Sequence, residues 1–281
     1  MKTNLEAYIA NIKHLPAAPI VLVKLISLFR QSDQDVDAVV QLLSQDPSLT
    51  AEVLKRCNSA SVSGAEPVLD IFDAIMRLGF YEVYQTTVTL FGAKTMEMSK
   101  TGNVIAVDQL WDHSLTTALA SGRLAKDLGE SEGIAYTAGL LHDIGKIVLA
   151  TADGPRYSEI LRRVGTTGGA LEDAETITFG FGHGAIGAQL LSNWGVPLDV
   201  SMPVFCHHRP KEAESFERLS AIVSLGNLMA HSCADQPDKN AAPDLAPALP
   251  AAEFLQIGND QLVVLLENVR TEIAGRERLF A

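Results

Sequence analysis

Five of the seven histidines of this chain, His113, His142, His183, His207 and His208, stand in settings that suit chemistry. His142 is followed directly by Asp143 in "GLLHDIGKIVLA", and His207 by His208 in "CHHRP". A lone histidine in an apolar helix is usually a core residue, but adjacent pairs of this kind point to a shared site. Imidazole nitrogens and a carboxylate are donors that Zn, Mn or Fe select. In helical bundles such donors come from separated helices. An ion held there would lower the pKa of a bound water and so generate a nucleophile. Lys146, one helical turn after Asp143, either pairs with that carboxylate or reaches a phosphoryl oxygen.

A second pattern, Gly182-His183-Gly184-Ala185-Ile186-Gly187, fits GxGxxG, and "ETITF" before it could pass for a strand. A dinucleotide fold requires a βαβ unit and an acidic residue about 20 positions on. Here "NWGVPLDV" interrupts and no second strand follows. The glycines instead allow a helix to start close against a neighbour.

Helices must position these groups. Leu22, Leu25, Ile26 and Phe29 fall at i, i+3, i+4 and i+7, as do Val36, Val39, Val40 and Leu43. Ile71, Ala74, Ile75 and Leu78 repeat the stripe before Gly79. Asp46 and Pro47 give a helix start, as N-cap and first residue. "YEVYQTTVTLF" is rich in β-branched residues but lies among helices, and is assigned as one. Ser114–Leu128 reads as a buried helix, and Tyr136–Ala150 as a second that carries His142 and Asp143. Residues 235–252 hold four prolines and read as a loop. A last helix places Leu262, Leu265, Leu266 and Val269 on one face. "SVSGAEP" and the proline-rich stretch read as surface turns, or alternatively as a surface that contacts partners. The expected fold is all-α in two helical lobes, residues 1–105 and 106–281, the later one carrying the histidines.

Of the 281 residues, 47% are hydrophobic and 20% charged, an ordinary globular balance. The formal net charge of −12, with no Lys/Arg-rich block, argues against a nucleic-acid backbone as partner. A small phosphate or nucleotide could still be held locally. No apolar run approaches the roughly 18 residues of a spanning helix, and the first residues lack a secretory pattern. Cys57, Cys206 and Cys233, odd in number and far apart, read as free buried thiols. The chain is therefore expected to be cytoplasmic, with no membrane partner.

The ordered set His113, His142-Asp143, His183, His207-His208 resembles the HD superfamily of metal-dependent phosphohydrolases. "LPAAPIVLVKLISL", "LLSQDPSLTAEVLKRCNSA", "IFDAIMRLGF" and "GHGAIGAQLLSNWGVP" are similar to the HDOD family, an HD-related bacterial signalling output domain. The resemblance spans about residues 10 to 235. It implies an all-helical chain that signals by binding other proteins, with a pocket for one divalent transition metal (Fe, Mn, Zn or Ni). The alternative it implies is hydrolysis of a nucleotide or cyclic di-nucleotide, with Asp143 and Lys146 in the catalytic roles.

The resemblance also locates two departures. Catalytic HD enzymes follow H…HD…D, and the last acid falls on "LSAIVSLGNLMAH", where this chain has Asn227; Asp235 is a rival for that place. HD-GYP relatives carry a glutamate four residues before the first histidine, where this chain has Gln109, and their GYP stretch is replaced by "HHRPKEAESF". Among these positions only Asp143 is a carboxylate, and neutral imidazoles offset no charge. One weakly held ion per chain is therefore expected, not a bridged pair.

Overall fold

The computed structural model describes residues 5–10, 12, 20–31, 35–58, 67–97, 104–234 and 249–280, side chains excepted at 97, 233–234, 249 and 272–280. Among the described residues the regular structure is helical throughout. The first group comprises α1 (Leu5–Ala10), α2 (Ile20–Phe29), α3 (Val36–Ser44), α4 (Pro47–Cys57), α5 (Ile71–Leu78) and α6 (Phe80–Glu97). The second comprises α7 (Val107–Asp127), α8 (Glu132–Leu141), α9 (Ile144–Ala152), α10 (Gly154–Thr167), α11 (Leu171–Phe179), α12 (His183–Asn193) and α13 (Leu198–Cys206). Two short 3₁₀ turns, Pro210–Glu212 and Glu214–Phe216, lead into α14 (Glu217–Ala234), and α15 (Leu249–Phe254) and α16 (Asn259–Phe280) close the chain.

Local chemistry explains the elements. Asp46 Oδ1 accepts from the amides of Ser48 and Leu49 at 2.9 and 3.1 Å, and α4 starts on Pro47. The threonines of α6 tolerate a helix because Thr86, Thr87 and Thr89 each return a hydroxyl to the carbonyl four residues earlier. Two expectations change. The stretch read as one helix from Tyr136 to Ala150 is broken at His142-Asp143, so the pair forms the junction of α8 and α9. The proline-rich stretch is helical from Leu249, because Pro250 sits in a first turn, where its missing N–H has no intrahelical role. "SVSGAEP" up to Ala65 and Glu66, and residues 235–248 including Asp235, lie outside the described residues.

A shared apolar core joins the two groups: Leu25, Leu43, Val53 and Tyr84 cluster with Tyr136, Leu140, Leu149 and Leu191. Polar pairs cross the same boundary inside the core. Tyr84 Oη lies 2.6 Å from Thr137 Oγ1, and Thr89 Oγ1 lies 2.7 Å from Tyr136 Oη. The apolar face of α16, Leu262, Leu265, Leu266 and Val269, packs with Leu124 of α7 and Ile222 and Met229 of α14 in a second cluster. Cys57 and Cys206 are free and buried; the side chain of Cys233 lies outside the described residues. No helix among the described residues is long and apolar enough to cross a membrane.

Small residues bring the histidine-bearing helices together. A methyl group on Gly139 of α8 would lie 2.9 Å from Ala118 Cα on α7, and one on Gly226 of α14 would lie 3.1 Å from Ser121 N on α7. The GxGxxG glycines do the same work. The "ETITF" before them is helix α11, and Gly182 is the N-cap of α12. A methyl on Gly184 would lie 2.8 Å from the Phe205 carbonyl of α13, and one on Gly187 would lie 3.2 Å from Gly145 N of α9.

Candidate metal centre

Except for His113, which projects from within α7, the ligand-type residues sit at helix ends, where side chains escape the helix surface. His142 caps the C-terminus of α8, Asp143 is the N-cap of α9, His183 opens α12, and His207 caps the C-terminus of α13, with His208 next. An aspartate at an N-cap ordinarily accepts from the following amides. Asp143 makes no such bond. Its carboxylate, 1% exposed, turns instead among the histidines.

These residues meet although up to 95 positions of chain separate them, counting from His113 to His208. His113 Nε2 and His142 Nε2 lie 3.3 Å apart. Asp143 Oδ2 is 3.3 Å from His142 Nε2 and 3.7 Å from His113 Nε2. Its Oδ1 is 3.4 Å from His183 Nε2 and 4.0 Å from His207 Nε2. His183 Nε2 in turn lies 3.3 Å from His207 Nε2 and 3.0 Å from His208 Nε2. The donors thus fall into two groups, His113-His142-Asp143 and His183-His207-His208, each compact enough to hold a metal ion. Asp143 stands between them with one oxygen toward each.

Protons decide what the cluster can bind. His142 Nδ1 donates to the Gly139 carbonyl, His207 Nδ1 to the Val204 carbonyl, and His183 Nδ1 to Glu175 Oε2, each at 2.7 Å. A carbonyl or carboxylate only accepts, so these rings carry their proton on Nδ1, and in the neutral ring Nε2 is a bare lone pair. A proton on His113 or His208 can serve the contacts those two rings make. With both rings neutral, none is left for the 3.3 Å contact between His183 and His207, and two lone pairs face one another there. A cation resolves that repulsion, and the donor set fits one.

The charges point the same way. Burial pushes the His113 imidazole down to about 3, helped by His142 and opposed by Asp143. Burial also holds His207 well below the ordinary imidazole range. Both are neutral bases at pH 7, the form that ligates metal. Burial alone would raise the Asp143 carboxyl, but His142 and Lys146 outweigh it and hold it well below the usual carboxylate range. Lys146 Nζ donates to Asp143 Oδ2 at 2.6 Å, so of the two roles its spacing allows it takes the carboxylate partner here.

Asn227 lies on α14 one residue after the crossing at Gly226, 5% exposed, and its Oδ1 has no hydrogen-bond partner among the described residues. One turn further along the same face, the His231 ring packs tilted against His113, with centroids 4.5 Å apart and planes at 40°. Gln109, four residues before His113, is exposed on α7.

One buried group has no motif to announce it. Glu175, fully buried on α11, accepts through Oε2 from both the backbone N–H and the Nδ1–H of His183, each at 2.7 Å. Its Oε1 accepts from Tyr157 Oη, also at 2.7 Å. The only sequence signal is position: with Ala174 and Phe179 it forms the buried face of α11, where an unpartnered acid would be costly.

With that geometry in hand, the likeness to known proteins is specific. The HDOD domain model matches residues 15–210, a range that holds all five clustered histidines and ends before α14 and Asn227. A solved HDOD domain protein with unknown function from Geobacter sulfurreducens superposes with a TM-score of 0.78 at 22% identity, covering 97% of this chain and 95% of that one, a likeness of fold. An uncharacterized protein of Treponema pallidum is 28% identical over 234 residues, 80% of this chain and 44% of that protein. Ribonuclease Y of Acholeplasma laidlawii is 28% identical over 175 residues, 60% of this chain and 27% of that protein. The chain spans less than half the length of these two relatives. By the match over most of its length and by its helical fold, the chain belongs to the HDOD domain family.

Proposed function

We propose that this protein is a signalling HDOD protein that acts by binding partner proteins, and that its histidine pocket holds one divalent transition metal without supporting turnover. The observation that carries the reading is the unequal charge of the two donor groups. On the His113-His142 side, Lys146 occupies Asp143 Oδ2 at 2.6 Å, and the neighbouring helix supplies the neutral Asn227. On the other side, three imidazoles meet the unpaired Asp143 Oδ1, with the Glu175 carboxylate behind His183. One ion belongs on that second side. A single ion can tie α9, α12 and α13 together, as structural sites do.

The test is metal content and turnover of protein purified without chelator or affinity metal. About one ion per chain is expected, because carboxylates are scarce. With added Mn, Fe or Zn, no turnover is expected of cyclic di-nucleotides, nucleoside mono- and triphosphates, a generic phosphodiester or single-stranded RNA. Metal-dependent turnover that Asp143→Ala abolishes would replace this reading with a phosphohydrolase. That second reading draws on Lys146, placed to meet a phosphoryl oxygen were it to leave Asp143, and on relatives named Ribonuclease Y.

Asn227→Asp probes the charge argument directly. A carboxylate at the unpaired Oδ1 position gives the first donor group the anion it lacks, and elemental analysis should then find about two ions per chain where the natural protein holds about one. A natural chain that already binds two would show the charge argument to be wrong.

A further inference from the structure

His183 is the hinge of the pocket: its Nε2 is 3.4 Å or less from Asp143, His207 and His208. What holds its other edge is therefore a determinant of the site. Glu175 receives three hydrogen bonds at 2.7 Å, from Tyr157 Oη, the His183 amide and the His183 ring. All three partners donate to it, so Glu175 is the acceptor in each contact. The chain reaches this contact by a short return: α11 ends at Gly180 in the left-handed region (φ 90°), and α12 opens at His183. The amide bond to the same Oε2 that accepts the ring proton clamps backbone and side chain together. It leaves the imidazole one tautomer and one orientation.

We infer that Glu175 is a positioning residue for the metal: it fixes His183 as the Nδ1–H tautomer with Nε2 turned into the cluster, and it sets its carboxylate behind the three imidazoles of the second donor group. Tyr157 holds the carboxylate in turn, from α10. Charge matters because the second donor group contains no acid of its own. A carboxylate accepting from a ligating imidazole raises its basicity, and losing such a partner typically costs 10–100-fold in metal affinity. The inference rests on the metal-binding reading above.

The test uses the full chain, stripped of metal. Cobalt(II) titration, followed by calorimetry and by the visible absorption of the bound ion, is compared for the natural protein, Glu175→Gln and Tyr157→Phe. Gln keeps the size and one acceptor oxygen but loses the charge. Affinity should fall about 10–100-fold in Glu175→Gln and by a smaller factor in Tyr157→Phe, which keeps the carboxylate. Long-range proton–nitrogen spectra of the histidine-labelled natural protein should show His183 protonated at Nδ1, a readout that a merely structural role would not move and that needs no variant to fold. Unchanged cobalt affinity in Glu175→Gln, or a proton on Nε2 of His183, overturns the inference. Absence of cobalt binding by the natural chain overturns the metal reading itself and is plainly distinct from either result.

Discussion

Asp143→Ala should abolish the thermal stabilisation that a divalent metal confers, while changing the metal-free protein little. Among the described residues Asp143 is the single carboxylate facing both donor groups, and its Oδ1 has no hydrogen-bond partner there. Without it, the second group offers three imidazoles and no anion. A ligand at one hundred times its dissociation constant stabilises by about 2.7 kcal/mol. In a chain of this size that raises the thermal midpoint by roughly 5–10 °C. The variant should show none of this rise. Removing one member of a buried ion pair usually costs about 3–5 kcal/mol, because a charge is left stranded. Here the remaining charge, Lys146, has a side chain 19% exposed and can turn to water, so the metal-free midpoint should fall by no more than a few degrees. Thermal unfolding with and without Mn or Zn separates the two effects. An equal metal-induced rise in Asp143→Ala would place the ion elsewhere.

Gly145→Ala should destabilise the protein by about 3 kcal/mol or more, at the upper end of overpacking. Alanine is normally the better helix residue by about 0.5–1 kcal/mol. Tertiary contact reverses the sign. A methyl group on Gly145 would run into the His183 carbonyl oxygen, with His183 C at 2.7 Å and Gly187 N at 2.9 Å. All three are backbone atoms, so no rotamer change relieves the clash and α9 must move off α12. That shift also separates Asp143 from His183, now 3.4 Å apart, so metal affinity should fall together with stability. Gly165→Ala is the internal control. Gly165 is exposed on α10 with nothing within 4 Å of an added methyl, and the same substitution there should be neutral or stabilising. Chemical denaturation of both variants gives the comparison. A Gly145→Ala protein as stable as the natural one would show that α9 and α12 do not cross as closely as described.

The helices and most of the donor residues could be read from the sequence because both depend on local rules. An apolar stripe at 3.6-residue spacing makes a helix wherever it falls, and Asp46-Pro47 starts one by satisfying orphan amides. The paired histidines beside an aspartate state their chemistry by residue type, and the order of motifs carries the HDOD resemblance. Three things required the tertiary structure. The helix break at His142-Asp143 has no proline or glycine at the pair to mark it. The division of the donors into two groups about Asp143 depends on where α7 passes, α12 starts and α13 ends in space. Glu175, eight residues before His183 and in no motif, gained its place only because the turn at Gly180 folds α12 back against α11. Residue type and spacing determine which groups are able to ligate. Which proton each imidazole keeps, and hence which lone pairs remain to be shared, is set by carbonyls and a carboxylate that only packing brings within 2.7 Å.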